Sequence, residues 1–186
     1  LLETLGHQIM EHSESKFLFV GKLDDWDMMK AGVPEGVAQI ALSLAPEDAL
    51  QAFPKWPDII RDTAPLADVN VPDLGDLATI VYTSGTTGMP KGVMHDFASL
   101  STVGEKMIKV YNLKPDERMI SYLPLSHVAE RVAVEIAVLY VGNKIFFSES
   151  LDTFGEDIKR AQPTVFFAVP RIWSKFYQKA SEAVPP

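Results

Sequence analysis

A loop rich in glycine and hydroxyl groups holds the residues of this sequence that are best suited to chemistry. It runs Tyr82-Thr83-Ser84-Gly85-Thr86-Thr87-Gly88-Met89-Pro90-Lys91-Gly92-Val93, directly after an apolar stretch. Glycine lets backbone N–H groups turn toward an anion, hydroxyls donate hydrogen bonds to it, and lysine supplies a positive charge. The combination predicts a site for a polyphosphate, and the structural alternative is a polar hairpin turn.

The spacing in this loop excludes two better-known motifs. A Walker A loop follows G-x-x-x-x-G-K-[ST], but here Gly85 and Gly88 are too close together, and Gly92 follows Lys91 where a hydroxyl should bind Mg²⁺. A nucleophilic serine on an elbow requires G-x-S-x-G, whereas Ser84 lies in T-S-G-T. We therefore interpret the loop as a phosphate site of another kind, with serine hydrolysis as a remote alternative.

His127 is the second candidate for chemistry. It lies in Tyr122-Leu123-Pro124-Leu125-Ser126-His127-Val128-Ala129-Glu130-Arg131, after a strand pattern and at the start of a helical one. A side chain in that place can project over the carboxyl ends of parallel strands, where ligands bind in α/β folds. The alternative interpretation is a histidine whose hydrogen bonds are satisfied at the start of a helix.

The elements that must position these residues alternate between strands and helices. Apolar runs of strand length occupy 16–21, 36–44, 77–82, 92–95, 119–123, 144–147 and 164–169. Helical patterns occupy 1–11, 24–30, 97–111, 126–140 and a final segment that begins at Pro170. This alternation indicates an α/β fold, layered, with a largely parallel sheet flanked by helices.

Local signals add three predictions. Asp96 is predicted to cap a helix whose apolar residues share one face. Those residues are Phe97, Leu100, Met107 and Tyr111. The tetrad Thr153-Phe154-Gly155-Glu156 has the spacing of a capping box. The segment 45–73 contains five of the thirteen prolines, which predicts a surface excursion that joins two parts of the fold.

Composition excludes several classes of protein. The 186 residues include 17 Lys+Arg and 25 Asp+Glu, for a net charge of −8, so we expect no nucleic-acid partner. The absence of cysteine excludes disulfides, thiolate metal sites and a cysteine nucleophile. No apolar run approaches the roughly 18 residues of a membrane span, and the first residues lack the basic region of a signal peptide. We expect a cytoplasmic protein, with peripheral membrane contact left open.

The stretch Ile80 to Lys91 resembles the AMP-binding signature of the adenylate-forming superfamily, which includes acyl-CoA synthetases, luciferases and the adenylation domains of peptide synthetases. The resemblance implies that a carboxylate and ATP give an acyl-adenylate and pyrophosphate, followed by transfer of the acyl group to a thiol. It also implies which residues hold the β- and γ-phosphates of ATP. These residues are Thr83, Ser84, Gly85, Thr86, Thr87, Gly88 and Lys91.

The segment around His127 resembles the downstream P-x-x-H motif of the superfamily, in the form found in long-chain fatty acyl-CoA synthetases. The resemblance implies that His127 lies beside the carboxylate and the adenylate, with Arg131 in the same pocket. Some bacterial relatives carry an aromatic gate to the acyl tunnel where Arg131 stands, so this chain departs from that pattern. An ion pair on the helix surface is the alternative role of Arg131. The stretch Val169-Pro170-Arg171-Ile172-Trp173 also resembles the long-chain branch.

These resemblances predict a fragment of a long-chain fatty acyl-CoA synthetase. Residues 1–75 are expected to form part of an N-terminal subdomain with a proline-rich connection, and 76–186 part of the AMP-binding subdomain, without the C-terminal domain. No segment after Lys91 resembles the family's adenine, ribose or catalytic-lysine motifs, so the chain alone is not expected to form acyl-adenylate.

The expected ligands are small molecules: ATP, Mg²⁺ bound to ATP, CoA and the fatty acid. His7, His12 and His95 lack the spacing of metal ligands, so no metal site of the protein itself is predicted. Two other functions stay open. An acyl-adenylate ligase that loads a carrier protein would share the same loop, and a non-catalytic structural or partner-binding module would retain only the fold. The oligomeric state is not indicated.

Overall fold

The computed structural model describes residues 2–83 and 89–183. The chain divides into two compact units, Leu1–His95 and Asp96–Pro186. The division at 75/76 that the sequence suggested stays a prediction.

The first unit begins with helix α1 and contains two pairs of strands. Strands β1 (Phe17–Val20) and β2 (Ala38–Ala41) pair in parallel, with Val20 opposite Ala41. Strands β3 (Leu77–Thr83) and β4 (Lys91–Asp96) pair with each other. The helical elements are α1 (Leu2–His12), α2 (Trp26–Met29), a 3-10 turn (Lys30–Gly32), α3 (Glu47–Ala52) and α4 (Trp56–Asp62).

The core of this unit lies beside the β1/β2 pair. Val20 and Ala41 are fully buried, and Trp26, Ala45 and Ala49 pack with them. The predicted surface excursion 45–73 is therefore wrong for its first part, which forms α3 and α4 and supplies two core alanines. The prolines there mark helix starts: Pro46 precedes α3 and Pro57 lies in the first turn of α4, where a missing N–H is harmless.

Helix α1 crosses the 3-10 turn at Gly32, which has no room for a side chain. The His7 side chain hydrogen-bonds the Gly32 carbonyl through Nδ1 at 3.1 Å. A Cβ atom added to Gly32 would lie 2.3 Å from the Glu3 carbonyl oxygen, which belongs to the backbone of α1 and cannot rotate away. The glycine is thus required by the close approach of two backbones.

We expect Gly32→Ala to lower the free energy of unfolding by about 1–3 kcal/mol, because α1 must shift away from the turn. Urea denaturation of the chain, followed by circular dichroism, measures the change. Gly75→Ala is the matched control: a Cβ there meets no atom within 4 Å, so its effect should stay within about 0.5 kcal/mol. Equal midpoints for the two variants would contradict the packing of α1 on the turn.

The second unit contains one parallel pair, β5 (Arg118–Ser121) with β6 (Lys144–Phe147), flanked by helices. Its helices are α5 (Phe97–Tyr111), α6 (Val128–Glu130), a π-helical turn (Arg131–Ile136), α7 (Ala137–Val141), α8 (Phe154–Ala161) and α9 (Pro170–Ala183). The expected α/β fold with parallel strands flanked by helices is confirmed.

Helix α5 confirms one local prediction and corrects another. Asp96 caps the helix: its Oδ1 accepts a hydrogen bond from the Ser99 backbone N–H at 2.8 Å. Tyr111, expected on the apolar face, is exposed. The buried residue is Gly104, where a Cβ would lie 2.6 Å from the Ile136 side chain. A small residue, rather than a large one, lets α5 approach its neighbour.

Three more expectations of the second unit need correction. The helix expected over 126–140 begins at Val128, and its middle is π-helical. Thr153 forms no capping box, since its hydroxyl donates to the Asp157 carboxylate at 2.7 Å. The expected strand 164–169 does not form, and the Arg118 N–H donates to the Thr164 hydroxyl at 2.8 Å instead of to a backbone carbonyl.

Candidate functional site

Thr83 and Lys91 stand at the two ends of the expected phosphate loop. Thr83 is the last residue of β3 and Lys91 the first residue of β4. The Thr83 hydroxyl donates a hydrogen bond to the Lys91 carbonyl oxygen at 3.5 Å, which closes the base of the loop. The structure thus brings these two predicted residues together. The others, Ser84, Gly85, Thr86, Thr87 and Gly88, lie outside the described residues.

The two strands that flank this loop make close contacts within the first unit. Gly92 lies against β3: a Cβ there would be 2.7 Å from Ile80 Cγ2 and 3.3 Å from Tyr82 Cζ. The Tyr82 hydroxyl hydrogen-bonds His12 Nδ1 at 2.7 Å, and the two rings meet edge-on. His12 therefore anchors the residue that precedes Thr83. Sequence reasoning assigned His12 no role, because no local pattern links residues 70 positions apart.

Lys91 leaves its charge unneutralised within residues 2–83 and 89–183. Its side chain is exposed, and no ion pair to it is found in that part of the chain. An exposed ammonium group beside a loop of N–H and hydroxyl donors is suited to an anionic ligand. This agrees with the phosphate role expected from the sequence, which stays a prediction.

His127 occupies the cap position of α6 and lies in the second unit. Its Nδ1 accepts a hydrogen bond from the Ala129 backbone N–H at 3.2 Å, and the His127 backbone N–H donates to the Pro124 carbonyl at 2.8 Å. A neutral imidazole that accepts at Nδ1 carries its proton on Nε2. The side chain is exposed. Nδ1 thus has its hydrogen-bond partner at the start of the helix, and Nε2 is left as a hydrogen-bond donor.

Arg131 follows His127 by one helical turn and is held by two groups. Its Nε donates to the Leu125 carbonyl at 2.9 Å, and its Nη1 pairs with Glu135 at 3.5 Å. The ion pair with Glu135 is the alternative role considered from the sequence. His127 thus caps α6 and Arg131 begins the π-helical turn that follows it, and the acyl-pocket role of Arg131 stays a prediction.

Glu130, three residues after His127, is buried in the structure, and sequence reasoning assigned it no role. It is only 3% exposed, although it is charged. The Ser121 hydroxyl donates to its Oε1 at 2.5 Å. Helical spacing offered a signal, because Glu130 shares a face with Ala133 and Val134, which are both buried. The spacing thus places Glu130 on the apolar side of the helix, and only the packing of that helix buries it.

Burial raises the pKa of Glu130, while hydrogen bonds from Ser121, Leu123 and Tyr122 and the nearby His127 act in the opposite direction. The net effect is a raised pKa. The folded protein therefore takes up this proton at higher pH than the unfolded chain does. The stabilisation from protonation is fully present below the ordinary pKa and is lost as the pH rises through the raised value.

We expect Glu130→Gln to remove this contribution to the pH dependence. In the pH window that begins near the ordinary Glu pKa and extends above it, the wild-type free energy of unfolding should fall relative to that of the variant as the pH rises. Urea denaturation of both proteins at closely spaced pH values gives the difference, in which other titrating groups cancel. Parallel pH profiles would contradict the raised pKa.

Neither a metal cluster nor a membrane-crossing helix is found in the part of the chain that the structure describes. No group of three or more histidine or acidic side chains is arranged there to hold a metal ion. None of the described helices has both the length and the apolar character that crossing a bilayer requires.

Comparison with known sequences identifies relatives over most of the chain. The sequence pattern of the AMP-binding enzyme family matches residues 5–184. Human long-chain-fatty-acid–CoA ligase 1 is 41% identical over 109 residues, which is 56% of this chain and 16% of the human protein. Rat long-chain-fatty-acid–CoA ligase 5 is 33% identical over 168 residues, which is 87% of this chain and 22% of the rat protein.

A solved structure supports the fold over the whole chain. The adenylation domain of a carboxylate reductase from Mycobacterium chelonae has a TM-score of 0.80 and 21% sequence identity. The match covers 100% of this chain and 34% of that one. The chain thus spans 16% and 22% of the two ligases and about a third of this domain. With its fold shared and nearly all of its residues matched, the chain belongs to the AMP-binding enzyme family.

Proposed function

We propose that the protein carrying this chain is a long-chain fatty acid–CoA ligase. It activates the fatty acid with ATP as an acyl-adenylate, releases pyrophosphate, and transfers the acyl group to CoA. Family membership supports the use of ATP, and the names of the relatives at 33–41% identity support the fatty acid and CoA. The observation that carries the proposal is the β3/β4 hairpin base, where Thr83 and the exposed Lys91 meet.

The candidate residues divide into two groups with separate tasks. The loop residues donate hydrogen bonds and one positive charge to the β- and γ-phosphates of ATP, with Mg²⁺ arriving on the nucleotide. These residues are Thr83, Ser84, Gly85, Thr86, Thr87, Gly88 and Lys91. His127 directs its Nε2–H toward the carboxylate of the fatty acid and its adenylate, with Arg131 beside it. The substrates are small molecules, and peripheral contact with a membrane would bring the protein to its acyl substrate.

Transfer to a carrier protein instead of CoA is the second candidate. An acyl-adenylate ligase of that kind would share the same loop, so residues 83–91 fit either acceptor. The names of the two ligases favour CoA. A purely structural module would release no pyrophosphate with any acid.

The test is pyrophosphate release by the full-length protein with a panel of carboxylic acids of increasing chain length. We expect release that depends on a long-chain acid, and formation of the acyl-CoA on addition of CoA, detected by mass spectrometry. An acyl-adenylate that persists with CoA but is consumed by a phosphopantetheinylated carrier protein would favour the second candidate. No acid-dependent release with any member of the panel would contradict both.

A further inference from the structure

The buried carboxyl group of Glu130 connects two elements that lie on either side of His127. Its partners all belong to the end of β5 and the segment that follows. The Ser121 hydroxyl donates to Oε1 at 2.5 Å, and the nearby backbone N–H groups of Tyr122 and Leu123 lower the pKa of the same carboxyl group. Polar groups of three consecutive residues therefore face one side chain of the next helix.

This convergence closes the chain segment that carries His127. Ser121 is the last residue of β5, and Glu130 ends the first helical turn after His127. Within the closed segment, the Pro124 carbonyl accepts a hydrogen bond from the His127 backbone N–H at 2.8 Å. The Leu125 carbonyl accepts one from Arg131 Nε at 2.9 Å. The backbone that leads to His127 is thus held at its start by Glu130 and in its middle by Arg131.

A carboxylate suits this place better than the alternatives. Its two oxygens offer about four acceptor sites, so it can accept from Ser121 and also interact with the neighbouring N–H groups. An apolar side chain would leave the part-buried Ser121 hydroxyl without this partner, which is unfavourable. A glutamine offers one acceptor oxygen, and its NH₂ group would face other donors. The turn that follows, Arg131–Ile136, is π-helical, and π-helical turns are frequent at functional sites.

We propose that Glu130 is a positioning residue for His127: it fixes the segment 121–127 so that the imidazole meets the acyl substrate in one orientation. The proposal rests on the proposed function for the meaning of that orientation. Glu130 itself, being buried, does not contact the substrate. Loss of a positioning group misplaces the reacting atoms and therefore lowers kcat. It leaves the KM for ATP nearly unchanged, because Glu130 is not among the residues predicted to bind the phosphates.

The test compares Glu130→Gln, Ser121→Ala and the control Glu105→Gln in the full-length protein. Glu105 is an exposed residue of α5, so its variant makes the same chemical change away from the site. We expect Glu130→Gln to lower kcat for acid-dependent pyrophosphate release by about tenfold or more, with the KM for ATP within about threefold. Hydrogen exchange of the backbone amides in 122–127 should accelerate by at least about tenfold in the same variant.

Ser121→Ala keeps the carboxylate and removes one donor, so it should change both measurements in the same direction by a smaller factor. It keeps the proposal testable if Glu130→Gln fails to fold. Unchanged exchange in 122–127 would overturn the proposal, and so would faster exchange with kcat within twofold of wild type. A wild-type protein that is inactive with every acid would contradict the proposed function alone. In that case the exchange comparison still decides whether Glu130 holds the His127 segment.

Discussion

Replacing Lys91 by alanine in the full-length protein is expected to lower kcat/KM for ATP by about 10- to 150-fold and to leave the melting temperature nearly unchanged. A charge-assisted hydrogen bond to phosphate contributes roughly 1.5–3 kcal/mol, which corresponds to that factor. The fold should tolerate the change, because the Lys91 side chain is exposed and its described contact is made through its backbone carbonyl. Removing an exposed side chain typically changes stability by no more than about 0.5 kcal/mol.

The matched control is Lys109→Ala, which removes the same group from the exposed side of α5. Both variants are measured by steady-state kinetics with the fatty acid saturating, and by thermal unfolding of the same preparations. Lys109→Ala should keep kcat/KM for ATP within twofold of wild type. A Lys91 variant that loses many degrees of melting temperature, with kcat/KM unchanged, would show that Lys91 is structural and would remove the main physical support for the phosphate site.

Replacing Phe154 by alanine is expected to lower the free energy of unfolding of the second unit by about 3–5 kcal/mol. Phe154 is 7% exposed and packs with Ile120 and Ala161 in the core of that unit. Its ring centroid lies 5.0 Å from that of Tyr122 and 6.3 Å from that of Phe176, with which it stacks. Truncation removes these contacts and leaves a cavity that neighbouring rings fill only in part.

Phe147→Ala is the matched control, because Phe147 lies in the same unit but is 77% exposed. Its effect should stay within about 0.5 kcal/mol, as for most surface substitutions. Denaturant unfolding followed by near-ultraviolet circular dichroism reports on aromatic packing in both variants. Equal midpoints for the two variants would contradict the assignment of Phe154 to the core.

Much of the local structure could be predicted because its causes are local. Strand β6 occupies the predicted apolar run, Lys144–Phe147, and α9 begins at Pro170, as expected. Asp96 caps α5 because a carboxylate one residue before a helix can reach the free N–H groups of its first turn. The predictions of secondary structure were wrong where the same local pattern is compatible with two different structures. The apolar run 164–169 has strand character, but the Thr164 hydroxyl competes for the Arg118 N–H.

The candidate site was predicted only in part, for a related reason. The residue types of the loop 83–91 are sufficient to predict phosphate binding, since hydroxyls, glycines and a lysine are groups that bind phosphate. Glu130 was assigned no role from the sequence, because its hydrogen-bond partner becomes evident only once the end of β5 lies against the first turn of α6. The bond between His12 and Tyr82 joins positions 70 residues apart, and no periodicity encodes it.

The sequence by itself determined the family, the bounds of the predicted phosphate loop and most of the strands and helices of this protein. All three depend on residue type and short-range spacing, which can be read along the chain. Only the tertiary structure decided that Gly32 and Gly104 are contact points, that Glu130 is buried, and that Phe154 belongs to a core. These features depend on which surfaces meet after folding. The burial and the partners of a side chain depend on residues that are distant in the sequence, and a single sequence does not show which of these residues lie close together in the fold.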